Sequence, residues 1–125
     1  MDASTEAVAR QVVDAGLKVH KALGPGLLES VYEQCLAHEL ERRGHEVRRQ
    51  LMLPVVYEGL TLELGYRLDL FVDDAVIVEV KSVEALSRLH EAQLLTYLRL
   101  SNRRLGLLMN FNVELFKQGI RRLVL

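Results

Sequence analysis

Two runs of strand-forming residues, Tyr66-Arg67-Leu68-Asp69-Leu70-Phe71-Val72 and Ala75-Val76-Ile77-Val78-Glu79-Val80-Lys81, flank Asp73-Asp74 and carry charge where a sheet should be apolar. Runs this rich in β-branched and aliphatic residues belong in half-buried or buried strands. A charge inside such a strand must be paired, bound to a metal or neutralised. Asp69, Glu79 and Lys81 therefore need a reason, and any fold for this chain must supply one. Alternation puts Glu79 with Lys81 on one face of their strand and Arg67 with Asp69 on one face of the strand before it. For Asp69 to stand opposite Glu79, paired positions must sum to an even number. That requires a connection of odd length, with residues 73 to 75 as the turn or a bulge supplying the extra residue. A strict two-residue Asp73-Asp74 turn would instead pair Asp69 with Val78 and turn Glu79 to the other face.

Around these strands the hydrophobic period changes twice. Ser4 is a plausible cap for a first helix with Glu6 in its opening turn, and Val8, Val12, Ala15, Val19, Ala22 and Leu23 recur at helical spacing until Gly24-Pro25-Gly26. A second helix is expected from about Leu27 to Arg43, with Leu28, Val31, Cys35, Leu36 and Leu40 inward and Gly44 as terminator. Val47 to Tyr57, Leu62 to Val72 and Val76 to Lys81 then read as an antiparallel meander with turns at Glu58-Gly59 and Asp73-Asp74. A third helix runs from a Ser87 cap to about Leu100. Leu105 to Met109 is a candidate buried strand, loops surround a short Val113 to Lys117 segment, and Ile120 to Leu125 is a candidate edge strand.

At 125 residues, half of them hydrophobic, the chain has material for one core, so residues 1–125 are read as one domain. A net charge of −1 leaves any nucleic-acid binding to a local patch. Cys35 is the only cysteine, which excludes an intramolecular disulfide or a cysteine-rich zinc site and suits a reducing compartment. The first twenty residues are interrupted by Asp2, Glu6, Arg10, Asp14 and Lys18, and no apolar run approaches membrane-spanning length. A cytoplasmic protein with no membrane partner is the expectation. Without tryptophan and with few aromatic residues, a single-strand binder of the OB or RRM kind is disfavoured.

Two carboxylates meeting at one strand level repel each other unless a cation bridges them, and hard oxygen ligands suit Mg²⁺ or Mn²⁺. Asp69 and Glu79 are the candidate metal ligands, the backbone carbonyl of Val80 a further one, and Lys81 the group that reaches a scissile phosphate or the attacking water. The competing reading is an ordinary cross-strand cluster in which Lys81 neutralises Glu79, worth ~0.2–1 kcal/mol. On the third helix His90, Gln93 and Tyr97 fall on one polar-tipped stripe, so Gln93 is a candidate to orient water or phosphate, with Tyr97 and His90 bounding the substrate. An amphipathic helix boundary would place the same residues there. Glu29, in the first turn of the second helix, either assists the metal site or merely complements the helix dipole. Tyr32, one turn later, is a candidate substrate contact. Arginine pairs at 42–43, 48–49, 103–104 and 121–122 either form a stripe for phosphates or serve helix ends and strand edges.

Gly26-Leu27-Leu28-Glu29-Ser30-Val31-Tyr32, Asp69, Glu79-Val80-Lys81, His90-Glu91-Ala92-Gln93-Leu94-Leu95 with Tyr97-Leu98, and Gly106-Leu107-Leu108-Met109-Asn110-Phe111 together resemble the GxxExxY proteins of the PD-(D/E)XK nuclease superfamily. The likeness spans roughly residues 7 to 125. It implies an α/β, restriction-endonuclease-like core, a mixed sheet in αβββαβ order flanked by helices, which agrees with the order of elements read from the pattern. It also implies Asp69, Glu79 and Lys81 as the catalytic set, supported by Glu29 and Gln93. Leu68 stands where the superfamily's name has proline, a position that varies widely. The expected activity is Mg²⁺-dependent (or Mn²⁺-dependent) phosphodiester hydrolysis on nucleic acid. DNA is favoured over RNA, and cleavage is structure-selective or non-specific, since so small a domain has little surface for sequence readout. The alternative is a catalytically silent nuclease fold that binds nucleic acid or forms a homodimer through the Ile120 to Leu125 edge.

Overall fold

In the computed structural model, which describes residues 1–125, Asp2 rather than Ser4 caps the first helix, its Oδ1 accepting the Thr5 N–H at 2.7 Å. Helix α1 (Ala3–Leu23) buries Ala9, Val12, Ala15 and Val19 along one stripe. Helix α2 (Glu29–Arg42) begins later than its apolar pattern suggests, so Leu28 is an extended N-cap residue and lies 73% exposed. Its inner stripe is instead Tyr32, Glu33, Leu36, Ala37 and Leu40.

The expected three-stranded meander is corrected by a break at Pro54. Strand β1 (Val47–Met52) pairs directly with β4 (Arg67–Val72), from Val47 with Val72 to Met52 with Arg67. Between them β2 (Val55–Tyr57) and β3 (Leu60–Leu62) form a hairpin of their own, outside the main sheet. Pro54 has no N–H to give to a ladder. Beside it the Leu53 N–H turns to the Tyr66 carbonyl at 2.7 Å, closing the neck of the hairpin.

Strand β4 then pairs antiparallel with β5 (Val76–Lys81), with Leu70 opposite Val78 and Val72 opposite Val76. Positive φ angles of 52° at Asp73 and 53° at Asp74, with the Ala75 N–H on the Val72 carbonyl at 3.0 Å, make a tight turn followed by one extra residue. Aspartate tolerates the left-handed region better than most residues. Both carboxylates are also engaged: Asp73 Oδ1 accepts the Glu46 N–H at 2.9 Å, and Asp74 pairs with Arg103 at 2.9 Å. The connection is thus of odd length, as the placement of Asp69 opposite Glu79 demanded.

Helix α3 (Arg88–Ser101) crosses to β6 (Leu105–Asn110), which lies parallel to β5, and a 3-10 turn (Phe116–Gly119) leads into the antiparallel edge strand β7 (Ile120–Val124). The mixed five-stranded sheet has the order β1-β4-β5-β6-β7. On one face α1 and α2 pack over Leu70, Val72, Val78, Val80, Leu107 and Met109. On the other, Leu94 and Leu98 of α3 pack with Phe71, Ile77 and Leu108. Gly106 permits that approach, because a Cβ there would lie 2.8 Å from Leu94 Cδ1. No helix is long and apolar enough to cross a membrane.

Candidate active site

The ladder between β4 and β5 stops at Leu70 and Val78, and one step further the side chains take over from the backbone. The Asp69 N–H donates to Glu79 Oε2 at 2.9 Å, and the Val80 N–H donates to Asp69 Oδ2 at 2.8 Å. Two carboxylates thus fill the fork where the strands part, each fixed by a backbone amide on the opposite strand. Glu79 is only 7% exposed. Burial pushes both acids above the usual carboxylate range, to about 6 for Asp69 and about 8 for Glu79, and for Glu79 the neighbouring Asp69 charge adds to it. Lys81 opposes the effect on both, yet it forms no salt bridge with either. The neutralising Glu79–Lys81 pair of the ordinary cross-strand reading is absent.

Glu33 and Gln50 complete the surroundings. Gln50 Nε2 donates to Glu33 Oε1 at 2.7 Å and to Asp69 Oδ1 at 3.3 Å, and Arg49 holds Glu33 Oε2 at 3.0 Å. Gln50 sits between the paired residues Arg49 and Leu51, opposite Asp69, with a left-handed φ of 51°. Such a conformation costs a non-glycine residue about 1–3 kcal/mol and is tolerated where the surroundings enforce it. Across the same level Leu68 packs with Phe71 on the α3 side rather than with Leu70 and Val72, so the pleat is disturbed at Asp69 on both strands. Glu33 and Gln50 were missed as site residues in the sequence. A glutamate on the inner stripe of α2 and the polar triplet Arg48-Arg49-Gln50 inside a strand were their only signals. Gln50→Gly is expected to be more stable than Gln50→Ala by about 1 kcal/mol in urea denaturation, since both lose the amide and only glycine is unstrained at this φ. In ordinary extended backbone the order would reverse.

The other candidates separate. Tyr97, on α3, is partly buried and makes no hydrogen bond to the carboxylates, and burial first, then the charges of Glu79 and Asp69, raise its hydroxyl above the usual range. Gln93 is exposed beside it and lines the same groove. Glu29 lies one residue past Lys81, its Oε1 accepting the Ser82 N–H at 3.2 Å. Tyr32 is corrected from substrate contact to core residue. It has no exposed surface, its ring stacks on Phe111 at 4.7 Å, and its hydroxyl donates to the Gly24 carbonyl at 2.5 Å while accepting the Leu27 N–H at 3.1 Å. His90 is partly exposed, and its Nδ1 accepts the Ser87 N–H at 3.1 Å in a reciprocal cap at the start of α3, a role that the helix end alone accounts for. The arginine pairs do not form a free stripe, because each commits at least one guanidinium to the protein's own acids. Arg43 binds Asp14 and Glu39, Arg48 binds Glu46, Arg49 binds Glu33, Arg103 binds Asp74 and Arg122 binds Glu6.

A family model described as the PD-(D/E)XK nuclease superfamily matches residues 6–123. The chain belongs to the PD-(D/E)XK nuclease superfamily. No curated protein and no solved structure matches it. Membership of the PD-(D/E)XK superfamily accounts for the mixed sheet flanked by helices, points to a nuclease acting on nucleic acid, and brings a typical dependence on a divalent metal. The donor chemistry of the fork fits such an ion. Each carboxylate spends one oxygen on a backbone amide, and holding both charged side by side carries a cost that a cation would remove. No third His, Cys, Asp or Glu side chain converges to close a cage. That leaves room for the waters that Mg²⁺ and Mn²⁺ retain, and it is unlike a closed structural zinc site.

Proposed function

We propose that this protein is a divalent-metal-dependent nuclease of the GxxExxY kind, a single domain over residues 1–125 that works in the cytoplasm and hydrolyses phosphodiester bonds, DNA in preference to RNA. The observation that supports it is the fork itself: two buried carboxylates fixed by each other's strands, with an amine beside them that no acid of the protein neutralises. A sheet that needed only stability would not keep two acids at raised pKa in its interior.

Asp69 and Glu79 would hold Mg²⁺ or Mn²⁺, with the Val80 carbonyl as a further ligand. When bound, the cation supplies positive charge to the phosphoryl group as negative charge develops there and makes water a better nucleophile. The Val80 and Asp69 amides fix the two acids before substrate arrives, so little reorganisation is left for the reaction. Lys81 donates hydrogen bonds to the scissile phosphate or to the attacking water. Gln93, exposed and without a hydrogen-bond partner in the protein, orients that water. Glu29 supports the end of β5 through Ser82, which keeps Lys81 in place. Arg67, exposed and also without an ion pair, contacts a neighbouring phosphate.

Incubating single-stranded, nicked and branched DNA with the protein and Mg²⁺ or Mn²⁺ tests this directly. Cleavage that disappears with EDTA and falls on the order of 10³-fold in Asp69→Ala is the expected result. Equal cleavage by Asp69→Ala would remove the site.

A further inference from the structure

We propose that the groove beside the carboxylate fork receives an unpaired nucleobase, so that the enzyme selects nucleic acid whose bases are already unstacked next to the bond it cuts. This rests on the nuclease reading above and adds the substrate class. The groove encloses about 570 Å³ between the β2–β3 hairpin with its return to β4 and the outer side of α3. Gln93 and Tyr97 line it from α3, and Tyr66, which lines it from the other side, immediately precedes β4, the strand that carries Asp69.

Charge decides what can enter. None of the groove's lining residues is Lys, Arg, His, Asp or Glu. A phosphodiester backbone would find no counter-charge there and would lose its hydration. Arg67 and Lys81, two cations without an ion pair, lie outside it, at one end of the sheet where β4 begins and β5 finishes. What fits inside is the uncharged part of a nucleotide. The walls are apolar except for the Gln93 amide, the Thr96 hydroxyl and two tyrosine hydroxyls, the sparse polar set that fixes a flat heterocycle by its edge.

Stacking surface is present as well. Tyr66 is 51% exposed, and no other ring and no cation of the protein stacks on it, whereas Tyr97 packs in part against the Leu94–Leu98 core. Leu64 and Leu89 at the rim are 74% and 69% exposed, a larger apolar investment than a solvated loop and helix end require. Bases inside a duplex are stacked and paired and cannot reach such walls without being extruded. A single strand, a flap or a frayed end presents them freely.

The test is fluorescence anisotropy with labelled single-stranded DNA, single-stranded RNA and duplex DNA of one length, in Ca²⁺, run in parallel with a Mn²⁺ cleavage assay. The single strands are expected to bind about tenfold or more tightly than the duplex. Tyr66→Ala, which removes one wall, and Ala92→Trp, which fills the groove from an exposed helix position, should each weaken single-strand binding about tenfold and leave duplex binding unchanged. Tyr66→Phe should restore it. The DNA and RNA arms show which strand is preferred. Equal binding of duplex, or unaltered single-strand binding in both variants, overturns the proposal and leaves the groove to a protein partner. If the variants behave as expected while no preparation cleaves in Mn²⁺, the base receptor stands and the nuclease reading fails. Cleavage of duplex and single strand alike, unaffected by Ala92→Trp, is the opposite outcome.

Discussion

Glu79→Gln is expected to melt about 5–15 °C above the parent protein at pH 8 without metal, and to show no gain at pH 4. The sign follows from proton linkage. In the folded chain Asp69 and Glu79 have pKa values raised to about 6 and about 8, whereas in the unfolded chain they titrate in the usual carboxylate range. Between these limits the folded state binds more protons than the unfolded one. Its stability is therefore fully present below the unfolded values and is lost as pH rises through about 6 and then about 8. The loss amounts to several kcal/mol for the pair, because each tenfold change in proton affinity corresponds to about 1.4 kcal/mol and the two acids titrate together. Glutamine at 79 stays neutral, and its amide oxygen can still accept the Asp69 N–H, so it escapes the loss. Mg²⁺ or Mn²⁺ should raise the melting temperature of the parent at pH 8 far more than at pH 5, since the ion competes with the protons, and should do nothing for Glu79→Gln. Melting curves at both pH values, with EDTA and with Mn²⁺, decide the matter. A parent protein that stays equally stable from pH 5 to 8 without metal, relative to the variant, would show that the acids carry no burial penalty.

Tyr32→Ala is expected to cost about 3–5 kcal/mol in urea denaturation, a large part of the stability of a domain this size. The side chain has no exposed surface, and its ring lies nearly parallel to Phe111, at 10°. Tyr32→Phe keeps the stack and loses only the hydroxyl, which leaves the Gly24 carbonyl and the Leu27 N–H without their partner, and should cost about 1–2 kcal/mol. The hydroxyl secures the Gly24-Pro25-Gly26 loop, and that loop delivers the Leu27 carbonyl to Ser82 Oγ at 2.6 Å, beside the bond between Ser82 N–H and Glu29. The tyrosine of the Gly26–Tyr32 motif is thus a clamp behind the site. Cleavage by Tyr32→Phe should fall much less than its stability does.

Local signals in the sequence sufficed for much of this architecture. Val76 to Val78 and Leu105 to Met109 are unbroken apolar runs and became the buried central strands, as their composition required. The parity of the β4–β5 connection followed from two acids that had to meet. What escaped were effects of long range. Val47 to Tyr57 alternates well enough to pass for one strand, and only Pro54 shows that the ladder cannot continue through it. The partner that turns Tyr32 inward lies at Phe111, far along the chain, and a polar-tipped side chain one turn after Glu29 looks solvent-facing until the two rings are seen stacked. Glu33 and Gln50 meet Asp69 through three separate elements, and no periodicity within any one of them reveals that meeting. Leu28 follows the helical spacing of α2 but precedes the helix itself, a boundary error of two residues.

The substitution of carboxylates for carbonyls at the mouth of the β4–β5 hairpin also governs how this lineage can evolve. Exchange of either acid for its amide leaves every amide proton of the fork with an acceptor while relieving the electrostatic load. A chain with either acid neutralised is therefore a sturdier protein than its parent, and drift alone leads downhill toward it. Descendants that keep both acids do so against that slope, under selection for something other than architecture.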